Sequence, residues 1–271
     1  MSAAAISRSQ VGVDGVRLGL TRRRDPWWVQ PGAVVVGLAA FVVYVTWAGL
    51  QGRYYRFGPY LSPFYSPELW GSPEAWFGAA PPWWYPQWLR FSPAVFILWI
   101  PAGFRLTCYY NRGAYYKAFW ADPPNCAVGE PRKSYWGENY FPLLLQNIHR
   151  YFMYLAVLLV LVLLDDVWHA LWFTNAAGHL RFGIGVGTLV ITLDVALVAA
   201  YTFGCHSLRH VCGGRLDCLA GRPVRAALYD CTSGLNRRHM AWFWVSLAWV
   251  GFSDLYVRLC AMGVWTDWRI L

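Results

Sequence analysis

Charge is what this sequence has least of. Only 14% of its 271 residues are Asp, Glu, Lys or Arg, against about 25% in a soluble domain, too few to wet an ordinary surface. Acidic residues are the scarcer sign, 14 against 23 Lys and Arg, so the formal net charge is +9. The seven cysteines are odd in number and lack a regular framework spacing, which argues against a disulfide scaffold. No apolar stretch leads to a small-residue cleavage site in the polar, arginine-rich N-terminal segment, so no cleavable signal is expected. No internal repeat is found. Together these absences disfavour a disordered tail, a secreted disulfide protein and a soluble nucleic-acid binder. What the chain has instead is 57% hydrophobic residues, with 18 Trp, 17 Tyr and 15 Phe. That aromatic load suits side chains placed at two membrane interfaces.

A membrane-crossing helix needs roughly 20 mostly apolar residues. The sequence supplies five candidates, at about 31–50, 92–110, 148–173, 182–206 and 240–262. The expected fold is therefore an all-α membrane protein of five transmembrane helices. It would comprise an N-terminal segment, 1–30, and a membrane domain, 31–271. A Trp- and Pro-rich loop, 51–91, would cap the outer face, and loops 112–146 and 207–238 would lie in the cytoplasm. Orientation follows from the basic residues beside the spans. Sixteen Lys and Arg fall on the N-terminal side, among them Arg8, Arg22, Arg132, Lys133, Arg150 and Arg215, against five, including Arg53 and Arg90, on the other. The N-terminus is thus expected in the cytoplasm and the C-terminus outside, in a multi-pass protein of the plasma membrane. The +9 charge reads as a topology signal and a docking face for an acidic soluble partner, not as a nucleic-acid patch.

Ionisable residues in hydrocarbon are costly and are functional candidates by default. His149 and His169 are separated by 20 residues of one span, roughly 30 Å of helix, so they fall at opposite faces. His149, His206, His210 and His239 gather at the cytoplasmic face, as do Cys108, Cys126, Cys205, Cys212, Cys218 and Cys231. Within GCHSLRHVC, residues 204–212, His206 and His210 are i and i+4 and share a helical face. Cys205 is adjacent to that pair. Mixed Cys and His ligation suits zinc or a Rieske-type [2Fe–2S] centre. Haem b competes, since His149 with His206 or His210 offers two imidazoles at one depth. In the outer third, Asp165, Asp166, Asp254 and Arg258 read first as an ion-pair network and second as a proton path or outer quinone pocket. Asp194 lies alone near mid-span, as a protonated carboxyl or a relay member.

The stretches 108–131 (CYYNRGAYYKAFWADPPNCAVGEP), 135–155 (YWGENYFPLLLQNIHRYFMYL) and 202–210 (TFGCHSLRH) resemble the single-chain membrane anchor of actinobacterial succinate dehydrogenase. The resemblance covers about residues 90–262, and the His149–Arg150 pair is similar to the His–Arg that lies near quinone in complex II anchors. It implies a subunit that takes electrons from a soluble iron–sulfur subunit, fed by a flavoprotein oxidising succinate, and passes them to a membrane quinone. The succinate chemistry would sit on another chain. It also implies a Rieske-type [2Fe–2S] cluster, with haem b as the alternative. The first two spans carry no His, a departure from the five-helix two-haem pattern that favours the cluster. The expected ligands are Cys126 and Cys205 on one iron and His206 and His210 on the other, with Cys108, His149 and His239 in reserve. His149, Arg150, Tyr154 and Arg105 are the expected quinone-binding residues. Membrane lipid, the two soluble subunits and further copies of the complex are the expected partners. Rival readings are a haem b subunit of another quinone-linked dehydrogenase, a transporter, and a non-redox membrane protein with a structural metal site.

Overall fold

A computed structural model describes residues 17–86, 88, 91–131, 140–141, 143–175, 177–214, 216 and 218–271. Arg8, Arg90, Arg132, Lys133, Arg215 and the 135–139 part of the aromatic stretch lie outside the described residues.

Among the described residues, four helices are long and apolar enough to cross a membrane: α1 (Val29–Gln51), a span that includes α4 (His149–His169), α5 (Val186–Phe203) and α8 (His239–Ala261). Helix α1 carries no charge and buries only Ala48 and Gly49. An apolar helix that buries so little of itself is a peripheral one, suited to lipid. It stops at Gly52, whose φ of 57° is the left-handed C-terminal conformation that glycine adopts most cheaply. Helices α4, α5 and α8 pack side by side and supply about half of the buried residues.

The expected second span differs from the expectation. Its helix α2 covers only Trp99–Leu106, preceded by a 3-10 turn at Pro93–Phe96 and followed by another at Tyr109–Asn111. Eight residues rise about 12 Å, far short of a hydrocarbon core of about 30 Å. Prolines set the limit. Pro101 lies in the first turn, where a missing amide hydrogen is tolerated, and Pro93 heads the earlier 3-10 turn, so neither sits inside a continuous ladder. The segment still joins the two ends of the bundle. Ser92 donates to the Gly49 carbonyl near the end of α1, and Cys108 meets His239 at the start of α8. It can lie against α4 because Gly103 has no side chain: a Cβ there would stand 2.1 Å from the Phe152 ring.

Among the described residues there are also two short antiparallel hairpins, which the all-helical expectation did not contain. Strands β1 (Arg56–Phe57) and β2 (Tyr60–Leu61) form one; β3 (Trp172–Thr174) and β4 (Leu180–Phe182) form the other. They mark one end of the bundle, here the hairpin end, together with the C-terminal residues, where Gly185 bridges to Arg269. The opposite, basic end holds residues 17–28, a short helix α3 (Arg112–Ala114) continuing as a π-helix through Trp120, and helices α6 (His206–Gly213) and α7 (Pro223–Asn236). The stretch expected as the loop 207–238 is thus largely helical.

Candidate functional site

At the basic end, four elements each deliver one soft or borderline metal donor. His149 is the first residue of α4 and His239 the first of α8. Cys205 is the N-cap of α6, just past the end of α5, and Cys108 follows the last turn of α2. All four are buried, Cys205 and His239 to 0% and 1% exposure. They meet as two pairs: His149 Nε2 is 3.1 Å from Cys205 Sγ, and His239 Nε2 is 3.4 Å from Cys108 Sγ.

The neighbours of His149 settle its tautomer. Thr107 donates its hydroxyl hydrogen to the Gly103 carbonyl at 2.7 Å, so toward His149 Nδ1, 2.9 Å away, it has only lone pairs to offer. Nδ1 therefore carries the hydrogen and Nε2 keeps its lone pair for the thiol side. An outer hydrogen bond that fixes ring orientation in this way is the usual support of a metal-binding imidazole. His239 points Nε2 at Cys108, and its Nδ1 has no hydrogen-bond partner among the described residues. Rings clamp both imidazoles. Phe104 stacks on His149 at 4.9 Å, Tyr201 on His239 at 4.6 Å, and the two rings touch edge to face at 5.3 Å. Asn111 holds the Tyr201 hydroxyl.

The residues singled out from sequence are placed differently from one another. Cys205 enters this cluster. His206 and His210 do come together, Nε2 to Nε2 at 2.8 Å, on the exposed side of α6, and the Tyr110 ring touches both His206 and His239. Cys126 is exposed, and its loop is strapped to the N-terminal segment: its carbonyl accepts from Arg23, and Thr21 donates to Ala127. No described contact joins Cys126 to Cys205, His206 or His210. Of the expected quinone ligands, His149 is buried in the cluster, whereas Arg150 and Tyr154 are exposed on other faces of α4. Arg105 turns inward. Its guanidinium donates to the Phe243 carbonyl at 3.1 Å and Ser246 Oγ at 2.9 Å, and lies 4.6 Å over the Tyr201 ring. Thr107, Phe104 and Tyr201 were not anticipated. The signal available for them was position alone, at helix ends on the same side as His149 and His239.

The hairpin end is built on harder chemistry. Asp254 accepts from Ser62, Tyr44 and Arg258, and Arg258 also donates to the carbonyls of Arg53 and Ala48. Glu68 pairs with Arg56 and Tyr55, and Asp267 accepts from Tyr60, Tyr256 and the Gly187 amide. Burial beside Glu68 pushes the Tyr55 hydroxyl well above its ordinary pKa. Asp254 and Arg258 thus pair as expected, but Asp166 bonds Ser66 and Asp165 meets exposed His169, so the four do not form one network. An open cavity of about 1310 Å³, lined by Arg56, Glu68, Asp166, Trp172 and Asp267 among others, lies at this end.

The donor set at the basic end can be tested against metal chemistry. A tetrahedral structural zinc would draw all four donors to one point. Among the described residues, no three His, Cys, Asp or Glu side chains converge in that way. Two thiols and two imidazoles in separate pairs fit a two-metal group in donor number and type. The pairing itself mixes one thiol with one imidazole, whereas a Rieske centre places both imidazoles on one iron.

Comparison with known proteins bears on the same regions. The family model described as actinobacterial succinate dehydrogenase subunit SdhC matches residues 29–263. Among solved structures, a chain of the Mycobacterium smegmatis Sdh1 complex in the apo form is similar, at 39% identity and a TM-score of 0.83, over 100% of both chains. No curated protein matches.

Proposed function

This chain belongs to the actinobacterial succinate dehydrogenase SdhC family, and from that membership we propose that it anchors a soluble iron–sulfur subunit and a flavoprotein subunit to the plasma membrane and conducts electrons to quinone. The basic end would face the cytoplasm and dock the iron–sulfur subunit. The broken segment 92–111 would serve as a fifth, irregular crossing, its backbone shielded by α4 and α8 as non-helical backbone at membrane depth must be. We assign the ligands of a [2Fe–2S] centre to Cys108, Cys205, His149 and His239, in place of the set centred on His206 and His210. One observation carries this: each buried imidazole presents Nε2 to a buried thiol. When bound, such a cluster supplies one-electron relay chemistry at a potential raised by imidazole ligation.

The chain's own residues prepare the site. Thr107 fixes the His149 tautomer, Phe104 and Tyr201 hold the rings and exclude water, and Arg105 offers a positive charge beside the cluster of donors. Arg150 and Tyr154, exposed on α4 at this end, would receive the head of a quinone arriving from lipid.

The test is the composition of the intact complex, purified from native membranes in mild detergent. Iron and acid-labile sulfide should exceed what the soluble subunits hold, and haem should be absent. In a Cys205→Ser, His239→Ala variant the excess and its EPR signal should vanish, while dye-linked succinate oxidation by the soluble subunits continues. Stoichiometric haem, or an unchanged EPR signal in that variant, would overturn the assignment.

A further inference from the structure

Asp194 is the most conspicuous buried group that the electron route leaves unused. It lies in α5, is 1% exposed, and has no hydrogen-bond partner for either carboxyl oxygen among the described residues. Carboxyl groups inside a membrane are costly and seldom idle. Its surroundings are ordered. Tyr201, Asp194 and Gly187 follow one another at intervals of seven residues along α5, and His239, Ser246 and Ser253 do the same along α8. A heptad returns to nearly the same helix face, drifting only ∼20°. The two helices are antiparallel neighbours, and Tyr201 stacks on His239. That contact fixes the register: Asp194 comes level with Ser246, and Gly187 with Ser253.

The seam between α5 and α8 is thus a ladder of three polar levels about 10 Å apart. At the inner level is the Cys–His site. At the middle level, Ser246 Oγ accepts from Arg105, which brings a positive charge to the level of Asp194. At the outer level, the Ser253 hydroxyl is buried without a hydrogen-bond partner among the described residues, and the Gly187 amide donates to Asp267. Asp267 and Tyr60, which bonds it, line the open cavity of the hairpin end. The orphan atoms of Asp194 and Ser253 therefore lie on one line between the Cys–His site and the hairpin-end cavity. The distance between levels exceeds a hydrogen bond, and buried unpaired polar atoms are where ordered water resides.

We propose that Asp194 is the proton station of a path along the α5–α8 seam, carrying protons from the hairpin-end cavity toward the site where quinone is reduced. This rests on the reading of the basic end as the electron-delivery site. Each quinone gains two electrons from the soluble subunits and two protons to become quinol. For each proton, the Asp194 carboxyl releases its hydrogen inward and the carboxylate, held beside Arg105, is recharged from the hairpin side. Arg105 is the charged group facing this level among the described residues, and α4 presents only Ala156, Leu159, Val160 and Leu163 as buried neighbours in its middle stretch.

The test uses the whole complex in sealed proteoliposomes, oriented with the soluble subunits outward. In Asp194→Asn, near-isosteric, succinate-to-quinone turnover should fall by ∼100-fold, the low end of what a positioned proton-transfer group contributes. Dye-linked succinate oxidation should be unchanged, and Asp194→Glu should recover much of the rate. A potassium diffusion potential should change wild-type turnover with its sign. Redox-difference infrared spectra should show a carboxylic C=O band in the wild type that Asp194→Asn lacks. Turnover within twofold of wild type in Asp194→Asn, or a wild-type carboxylic band that persists there, would overturn the proposal. An EPR-visible cluster in Asp194→Asn keeps the redox reading standing whichever way the proton result falls; its absence from the wild type would sink the redox reading first.

Discussion

The two ends of the bundle solve the problem of buried polarity in opposite ways. At the hairpin end nearly every buried charge is answered: Asp254 by Arg258, Tyr44 and Ser62, and Glu68 by Arg56 and Tyr55. At the basic end the buried polar groups include two thiols and two imidazoles, joined in pairs, with His239 Nδ1 left without a hydrogen-bond partner among the described residues. A closed network of strong hydrogen bonds stabilises and has little left to offer a ligand. Neutral donors with spare lone pairs stabilise little and are free to bind. The comparison separates structural polarity from functional polarity within one small membrane protein.

The contrast can be broken most completely from the functional side. Changing His149 and Cys205 together to Ala should abolish succinate-to-quinone transfer and remove the additional EPR signal, with the thermal midpoint of the complex in detergent little changed. A collapse of stability with the signal intact would reverse the roles assigned to the two ends. From the structural side, Arg258→Ala strands a buried carboxylate, and breaking such a pair costs roughly 3–5 kcal/mol. Its mark should be a large fall in the thermal midpoint, while the fraction that survives keeps a normal EPR spectrum.

A smaller effect sharpens the difference in packing. A Cβ at Gly187 would lie 2.4 Å from the Tyr60 ring, which is buried and tied to Asp267. Gly187→Ala should therefore cost about 1–3 kcal/mol through overpacking. Gly103→Ala meets the half-buried Phe152 ring, which can swing away, and should cost less; differential scanning of the two variants checks the order. The smallest effect is expected where sequence placed the ligands. His206→Ala, His210→Ala should leave iron content and the EPR line shape unchanged. Loss of the cluster in that double variant would restore the original ligand set.

Much of this was legible in the sequence. Three of the expected spans lie within a few residues of α4, α5 and α8, and α1 was plain from a run free of charge. His149, His206 and His239 lie at the first residues of α4, α6 and α8 and His210 one turn further on, at one end of the bundle, because helical rise converts spacing directly into height. Rotation was the missing coordinate. His206 and His210 satisfy the i, i+4 rule and meet on the exposed side of α6, whereas the thiol of Cys205, one residue earlier, is buried. Cys108, His149 and His239 come from three separate helices, so no local spacing could join them. The irregular 92–111 segment misled for another reason: hydropathy counts apolar residues without registering that Pro93 and Pro101 each fall in the first turn of a short separate helical piece.

Thr107 and Cys108 are consecutive residues, yet one steers His149 and the other meets His239. A single peptide unit at the end of α2 therefore links both halves of the site. Any shift of that turn, by a substitution at Gly103 or an unsettled Phe152, disturbs both halves together and cannot spoil one alone. Maturation of the centre should accordingly be all or none: a population of half-damaged variants would contain loaded and empty molecules, with no partly loaded class between them.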